Sequence, residues 1–208
     1  MKALAQLQRL CARLPFQPHN IRRFLNERGR YDVELNREFP LLVSLFSFQS
    51  KRFTAGPTWH DRLELFVPVE GMVRFRMGEH TLELGVGDLL VVDNMQLHEV
   101  VDYPGFKARV IVVSFMPELV YSLGSPPHDY SFLVPFFISR EGQPQLLTPK
   151  DAQAEAIYQA LSVLLERYHR SGKAPYHQAG GKAALRDLLY HLACRFHATE
   201  IAHAEILR

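Results

Sequence analysis

Between Thr58 and Phe66 the chain reads Thr58-Trp59-His60-Asp61-Arg62-Leu63-Glu64-Leu65-Phe66. Side chains alternate between faces along an extended backbone. Thr58, His60, Arg62, Glu64 and Phe66 therefore share one face, with Trp59, Leu63 and Leu65 on the other. A histidine and a carboxylate brought together in this way are two transition-metal ligands or, without an ion, a hydrogen-bonded pair. Arg62 adds five donors in a planar fork suited to a carboxylate-bearing ligand. Its plainer use is an ion pair with Glu64. Trp59, facing away from the polar set, reads as packing.

These residues sit in a region whose texture is that of β structure. From Leu41 to about Phe115, short runs of Val, Leu and Phe are punctuated by Gly, Pro, Asp or Asn, the rhythm of an antiparallel sandwich or small barrel. Val73, Phe75 and Met77 alternate with Arg74 and Arg76, a turn follows at Gly78-Glu79-His80, and Leu82 and Leu84 then alternate with Thr81 and Glu83. Gly85, Gly87 and Asp88 make a corner before Leu89-Leu90-Val91-Val92, and Ala108 to Phe115 reads as a fully buried strand. Pro68 cannot donate to a ladder and is expected at an edge or a bulge. If the strands close into a barrel, the polar face of Thr58 to Phe66 looks out to water or lines an interior site.

Helices flank this region. Leu4, Leu7, Leu10, Cys11 and Leu14 form one helical stripe that Pro15 stops, and Ile21 to Arg28 could add a turn or two before Gly29. Thr148, Pro149 and Asp151 are a helix start signal, after which Ile157, Leu161, Leu164 and Tyr168 keep helical spacing until Gly172. A second helix carries Leu185, Leu188, Leu189, Leu192 and Phe196. The connection between them holds Gly172, Pro175, Gly180 and Gly181, too long for a DNA-reading helix-turn-helix. The pair is expected to be an αα-hairpin.

Composition narrows the class. The 208 residues are 47% hydrophobic and 22% charged, as in a folded soluble domain, and 24 Lys plus Arg against 22 Asp plus Glu leave a net charge of only +2. A nucleic-acid-binding module would show a stronger basic bias. Cys11 and Cys194 have no zinc-site spacing and read as reduced packing residues. Neither a signal-peptide core nor a membrane span is present, so a cytoplasmic location without membrane contact is expected.

Gly56-Pro57-Thr58-Trp59-His60-Asp61-Arg62-Leu63-Glu64, followed by six residues and Gly71, resembles the first cupin motif. Gly87-Asp88, then Asp93 and His98, resembles the second. Thr58 stands where that family has its first His, Asp93 where it usually has Pro, and Met95 where it usually has Gly. Trp59-His60, Glu64-Leu65, Glu70-Gly71, Gly87-Asp88, His98 and Ser114-Phe115-Met116-Pro117-Glu118 are together similar to the N-terminal sensing domains of AraC-type bacterial transcription regulators, over roughly residues 39 to 200. Family members continue into helix-turn-helix units, and this sequence ends at Arg208, about where those would begin.

The resemblance implies a mainly β fold with flanking helices: a cupin-type double-stranded β-helix, or jelly-roll barrel, followed by the αα-hairpin. Residues 1–38 would be an N-terminal helical arm that covers the barrel mouth, 39–147 the barrel, and 148–208 the hairpin packed on it. Thr58, His60, Arg62, Glu64, Phe66 and His98 would bind a small-molecule effector, a sugar or aromatic acid among the candidates. His60, Glu64 and His98 would be the ligands of a divalent transition metal, Zn, Ni, Fe or Mn, although sensors of this kind often hold none. Leu161, Leu164, Leu185, Leu188, Leu189 and Leu192 would form the seam of a homodimer. Contact with DNA is expected only through a helix-turn-helix region not present here. The competing readings are a small metal-dependent cupin enzyme, a dioxygenase or isomerase, and a free-standing small-molecule binder. The missing first-motif His and the leucine-rich hairpin favour a sensor without catalysis.

Overall fold

The computed structural model describes residues 2–49, 56–105, 107–137, 143–169 and 176–206, the stretch 197–206 as backbone only. Nine strands form two sheets among the described residues: β1 (Gln17–Pro18), β2 (Leu41–Phe48), β3 (Leu63–Glu70), β4 (Val73–Met77), β5 (His80–Leu84), β6 (Leu89–Val92), β7 (His98–Asp102), β8 (Ala108–Phe115) and β9 (Gln145–Leu147). The larger sheet runs β1-β2-β8-β3-β6-β9 and the smaller β5-β4-β7. Apart from the parallel β1 edge, every pairing is antiparallel. The helices are α1 (Lys2–Cys11), the single turn α2 (Val134–Phe137), α3 (Ala154–His169) and α4 (His177–Ile206). This is the mainly β architecture with flanking helices that the sequence predicts.

The central strands are apolar on both faces because each face has a different cover. Leu63, Leu65, Val67, Ile111, Val113 and Phe115 join one core with α1, α3 and α4. Phe66, Val110 and Val112 point the other way, into a second core shared with Val73, Phe75 and Met77 of the small sheet. Glu64 and Ser114 have the parity of that inner face. Pro68 lies at a register irregularity between β3 and β8, beyond the Glu64–Phe66 segment that pairs with β6, so its missing N–H costs no ladder bond. The β4–β5 turn is tighter than expected: Met77 pairs with His80, leaving a two-residue loop in which Gly78 takes the positive φ of 56°.

Gly87 fixes the barrel against the helices. Its φ is +88°, and an added Cβ would come within 2.8 Å of Leu4 Cδ2, so only glycine fits. The Tyr158 hydroxyl of α3 donates to the Gly87 carbonyl at 2.6 Å, closing the junction.

Three expectations change in the structure. The arm splits: α1 buries Leu4, Leu7 and Cys11 in the helical core and packs on α3, away from the barrel mouth. The mouth is covered instead by residues 19–33, a strap begun by the β1–β2 pairing (Gln17 with Phe46, Pro18 with Ser47). Within it only Ile21–Phe24 is helical, as a 3₁₀ turn, and the chain then doubles back through a Leu25–Tyr31 bridge in place of a helix to Arg28. In the hairpin, α3 begins at Ala154, later than the Thr148 signal, and Gly180 and Gly181 lie inside α4, where Gly181 lets Phe39 approach. Gly172 and Pro175 lie outside the described residues.

The third change concerns the dimer seam. Leu161, Leu164, Leu185, Leu188, Leu189 and Leu192 are all 0% exposed within a single chain. The helices must cover each other and the outer face of the large sheet, which consumes the whole apolar stripe, so these six residues form core and offer no free face. Leu188→Glu is therefore expected to place an unpaired carboxylate in the core and cost roughly 3–5 kcal/mol. Thermal melting followed by circular dichroism checks this. A variant that melts with the wild type and only changes its sedimentation would restore the seam.

Candidate functional site

The inner face of the large sheet carries one ionised group. Glu64, the second residue of β3 between the fully buried Leu63 and Leu65, is 6% exposed. Its Oε1 accepts from Arg62 Nε at 2.8 Å and from the Ser114 hydroxyl of β8 at 2.7 Å. Burial alone would raise its pKa. Proximity to His60, to the Arg62 guanidinium and to His98 outweighs that penalty and holds the carboxyl well below its ordinary value. Arg62 in turn donates from Nη1 to the Tyr31 carbonyl at 3.2 Å and lies over the Tyr31 ring.

The two histidines are oriented by backbone carbonyls. His60 Nδ1 lies 3.0 Å from the Arg62 carbonyl and His98 Nδ1 2.8 Å from that of Gln96. A carbonyl can only accept, so each Nδ1 carries the proton, and in a neutral ring Nε2 is left as a lone pair. His60 Nε2 is 3.1 Å from Glu64 Oε2 in a contact that does not meet hydrogen-bond geometry, and it has no other partner. The rings meet edge to face with centroids 4.7 Å apart, and His98 stacks on Phe75. Burial, then the neighbouring His60, pushes the His98 pKa down to about 4, leaving it neutral at pH 7.

Local chain geometry brings these groups together. Thr58 and His98 exchange backbone hydrogen bonds, each at 2.9 Å, and the Thr58 hydroxyl donates to the His98 carbonyl at 3.3 Å. The sequence treats 58 to 66 as one extended run. In the structure a bend at Asp61–Arg62 separates the Thr58–Trp59 bridge residues from β3, yet the alternation survives it. Thr58, Arg62, Glu64, Phe66 and His98 line a cavity of about 60 Å³ between the sheets. His60, wholly buried, stands behind its wall. Trp59 packs outside, with its indole N–H donating to the Arg28 carbonyl.

Further lining comes from residues that the local pattern does not single out. His19, Ile21, Tyr31 and Val33 come from the strap, Ser44 and Phe46 from β2, and Ser114 from β8. Ser114 was recoverable, because it shares the parity of Val112 on a strand that otherwise reads as uniformly apolar. The strap residues carry no local signal, since their position depends on the β1–β2 pairing. A wider groove of about 680 Å³ beyond Arg62 is an open surface on which Arg30 pairs with Asp61 at 2.8 Å and with Asp32 at 3.8 Å.

One donor atom each from His60, Glu64 and His98 lies within 4.8 Å of the others. Two imidazoles with Nδ1–H anchored on carbonyls and a carboxylate are a sound donor set for a divalent transition ion. This chain departs from a full cupin site at Thr58, whose short hydroxyl is used on the His98 carbonyl, and at Arg62, whose charge shares the carboxylate.

The His98 environment sets a pH dependence. The unfolded chain takes up a proton near the ordinary value of 6.5, the folded chain only near 4, so stability falls as pH drops from 7 towards 4. His19, also pushed down to about 4 by burial, acts in the same direction. The stability that Glu64 gains from its lowered pKa is present above its ordinary value of 4.5 and is lost only as pH falls below it, which leaves the upper window to the histidines. His98 should supply up to roughly 3 kcal/mol of this loss. With chelator present, the urea midpoint should fall between pH 7 and pH 5, and less steeply in His98→Asn. A wild-type midpoint unchanged over that range would contradict the burial of both rings.

The barrel is similar to several solved structures. They include a cupin protein from Bacteroides fragilis (12% identity, 42% of this chain and 76% of that one, TM-score 0.36), a Thermus thermophilus protein (18%, 47% and 95%, 0.35) and a cupin superfamily protein from Desulfitobacterium hafniense (15%, 40% and 74%, 0.34). These likenesses concern fold alone. No curated protein matches the chain. The sequence model of the AraC-like ligand binding domain matches residues 42–192, from the second residue of β2 into α4 and so across both the barrel and the hairpin. With the match running over well more than half of its length, this chain belongs to the AraC-like ligand binding domain family.

Proposed function

We propose that the chain is the cytoplasmic effector-sensing domain of an AraC-type transcription regulator, which takes a small molecule into the barrel cavity and does not transform it. The observation that supports this reading is that the N-terminal strap forms part of the cavity wall, through His19, Ile21, Tyr31 and Val33. A ligand in the cavity then touches the barrel and the strap at once, and it favours whichever strap conformation it contacts better. That differential affinity is what a sensor needs, whereas catalysis would need a reacting group aimed at the ligand. Contact with DNA would be made by a helix-turn-helix region outside these residues. A homodimer would use the exposed face of α4, including Asp187, Tyr190 and Cys194, because the leucine stripe is occupied.

The unpartnered His60 Nε2 favours a second reading, in which a divalent transition ion sits at His60, Glu64 and His98. Such an ion would act as a Lewis acid and offer open positions to an effector. Arg62 and Ser114 would then hold Glu64 in place, and Phe75 would support the His98 ring.

Two measurements test these readings. In a thermal-shift panel of sugars, amines and organic acids, at least one compound should raise the melting temperature of the wild type and leave Ser44→Phe, with its filled cavity, unmoved. The compound should be recovered unchanged. Turnover of it would overturn the sensor reading. Elemental analysis should find metal, if it is the ligand, at one ion per chain in the wild type and none in His98→Ala. Stoichiometric metal in that variant would refute the ligand set.

A further inference from the structure

Resting on the sensor reading above, the register of the large sheet and the hydrogen bonds of the cavity wall narrow the class of ligand. On the inner face the strand pairings lay side chains out in rows. Leu42, Ser114 and Glu64 form one row, Ser44, Val112 and Phe66 the next, and Phe46 with Val110 the one beyond. The first row is the ionic end, where Arg62 and Ser114 both donate to Glu64. The last is apolar, with the His19 ring of the strap edge-on to Phe46 at 4.7 Å between centroids.

The charges of the wall are already matched. Arg62 gives Nε to Glu64 and Nη1 to the Tyr31 carbonyl, and Glu99 pairs with Arg76 on the outer face of the small sheet. A ligand carboxylate would compete with Glu64 for Arg62, and a ligand ammonium would compete with Arg62 for Glu64. Either exchange leaves a buried charge without its partner. Held against each other, the two charges present a ligand with a dipole, and what suits a dipole is a polar group without charge.

Neutral groups are available to meet one. Thr58 and Ser114 are committed to the His98 carbonyl and to Glu64. Outside the His60, Glu64 and His98 cluster, the Ser44 hydroxyl, the Tyr31 hydroxyl and the His19 ring line the cavity and have no hydrogen-bond partner among the described residues. Ser44 lies in the middle row, beside Val112 and Phe66, and the Phe75 ring faces Phe66 with centroids 4.9 Å apart. The wall thus offers an uncharged hydroxyl next to a hydrocarbon floor. At about 60 Å³ the space has room for roughly four to six heavy atoms.

We infer that the cavity recognises a small uncharged alcohol, its hydroxyl on Ser44 and turned towards Tyr31 and His19 of the strap, its hydrocarbon part against Val112, Phe66 and Phe75. A hydroxyl both donates and accepts, so it can serve Ser44 and a strap group at once. It thereby ties barrel to strap, the differential contact that the sensor reading needs. An aromatic acid, which the sequence allowed through Arg62, would have to take the partner of Glu64.

The test uses three four-carbon probes, 1-butanol, butyrate and butylammonium, titrated into ¹⁵N-labelled protein at neutral pH with chelator present. Butanol should shift the backbone amides of Ser44, Val112 and Tyr31 with millimolar half-saturation, and the two ions should bind at least about tenfold more weakly. Ser44→Ala should weaken butanol about fivefold, the loss of one neutral hydrogen bond. Tyr31→Phe, which keeps the ring under Arg62, should weaken it in the same direction. Butyrate or butylammonium binding as tightly as butanol overturns the inference while keeping the cavity reading. So does silence from butanol, or an unchanged butanol affinity in both variants. Shifts that persist unchanged in Ser44→Phe overturn the cavity reading itself.

Discussion

An ionised carboxylate on a central strand is costly to bury, and much of this site follows from how Glu64, near the start of β3, is accommodated. The strand that carries it is apolar on its other face because the helices need that face, so Glu64 can only point between the sheets. Once there it requires donors, and they arrive from two directions: Arg62 from the preceding bend and Ser114 from β8, with the His60 ring 3.1 Å away on the other oxygen. Removing one partner of such a pair typically costs about 3–5 kcal/mol, far more than the pair adds over an apolar filling. The arrangement therefore makes poor sense as a device for stability and good sense as one for presenting a charge to a ligand.

The same accommodation orients everything else. Arg62 reaches Glu64 only because the chain bends at Asp61–Arg62, and that bend also turns the Arg62 carbonyl onto His60 Nδ1. His98 is held by the antiparallel bridge to Thr58 and by the Gln96 carbonyl, so its free nitrogen cannot turn away from the carboxylate. Arg62 also extends to the Tyr31 carbonyl, which links the buried charge to the strap side of the wall. A ligand that redistributes the contacts of Glu64 acts on Arg62, and through Arg62 on the strap.

Much of this was legible in the sequence, and the parts that were not share a cause. Alternation along Thr58 to Phe66 identified the inward set even though the run is not one strand, because a bend changes direction without changing parity. The corner glycines and the Gly78 hairpin were readable because turns are local. Non-local pairing is what hid the rest. The strap covers the mouth through two residues of parallel pairing at a sheet edge, and α1 packs on α3, at the far end of the chain. The hairpin leucines show why an apolar stripe alone does not name its partner. A stripe wide enough for a dimer is also what two helices need to cover each other and a sheet.

The central claim is that burial keeps the His98 ring neutral beside the cavity, with its Nε2 lone pair free, and the protonation of that ring decides it. Long-range ¹H–¹⁵N correlation spectra of the histidine side chains at pH 7, in the presence of chelator, report which nitrogen of each ring carries hydrogen. The account requires His98 to be neutral with the proton on Nδ1, so that its Nε2 appears as an unprotonated nitrogen. A proton on Nε2 of His98, whether in the other tautomer or in a doubly protonated ring, would turn the acceptor into a donor and contradict it.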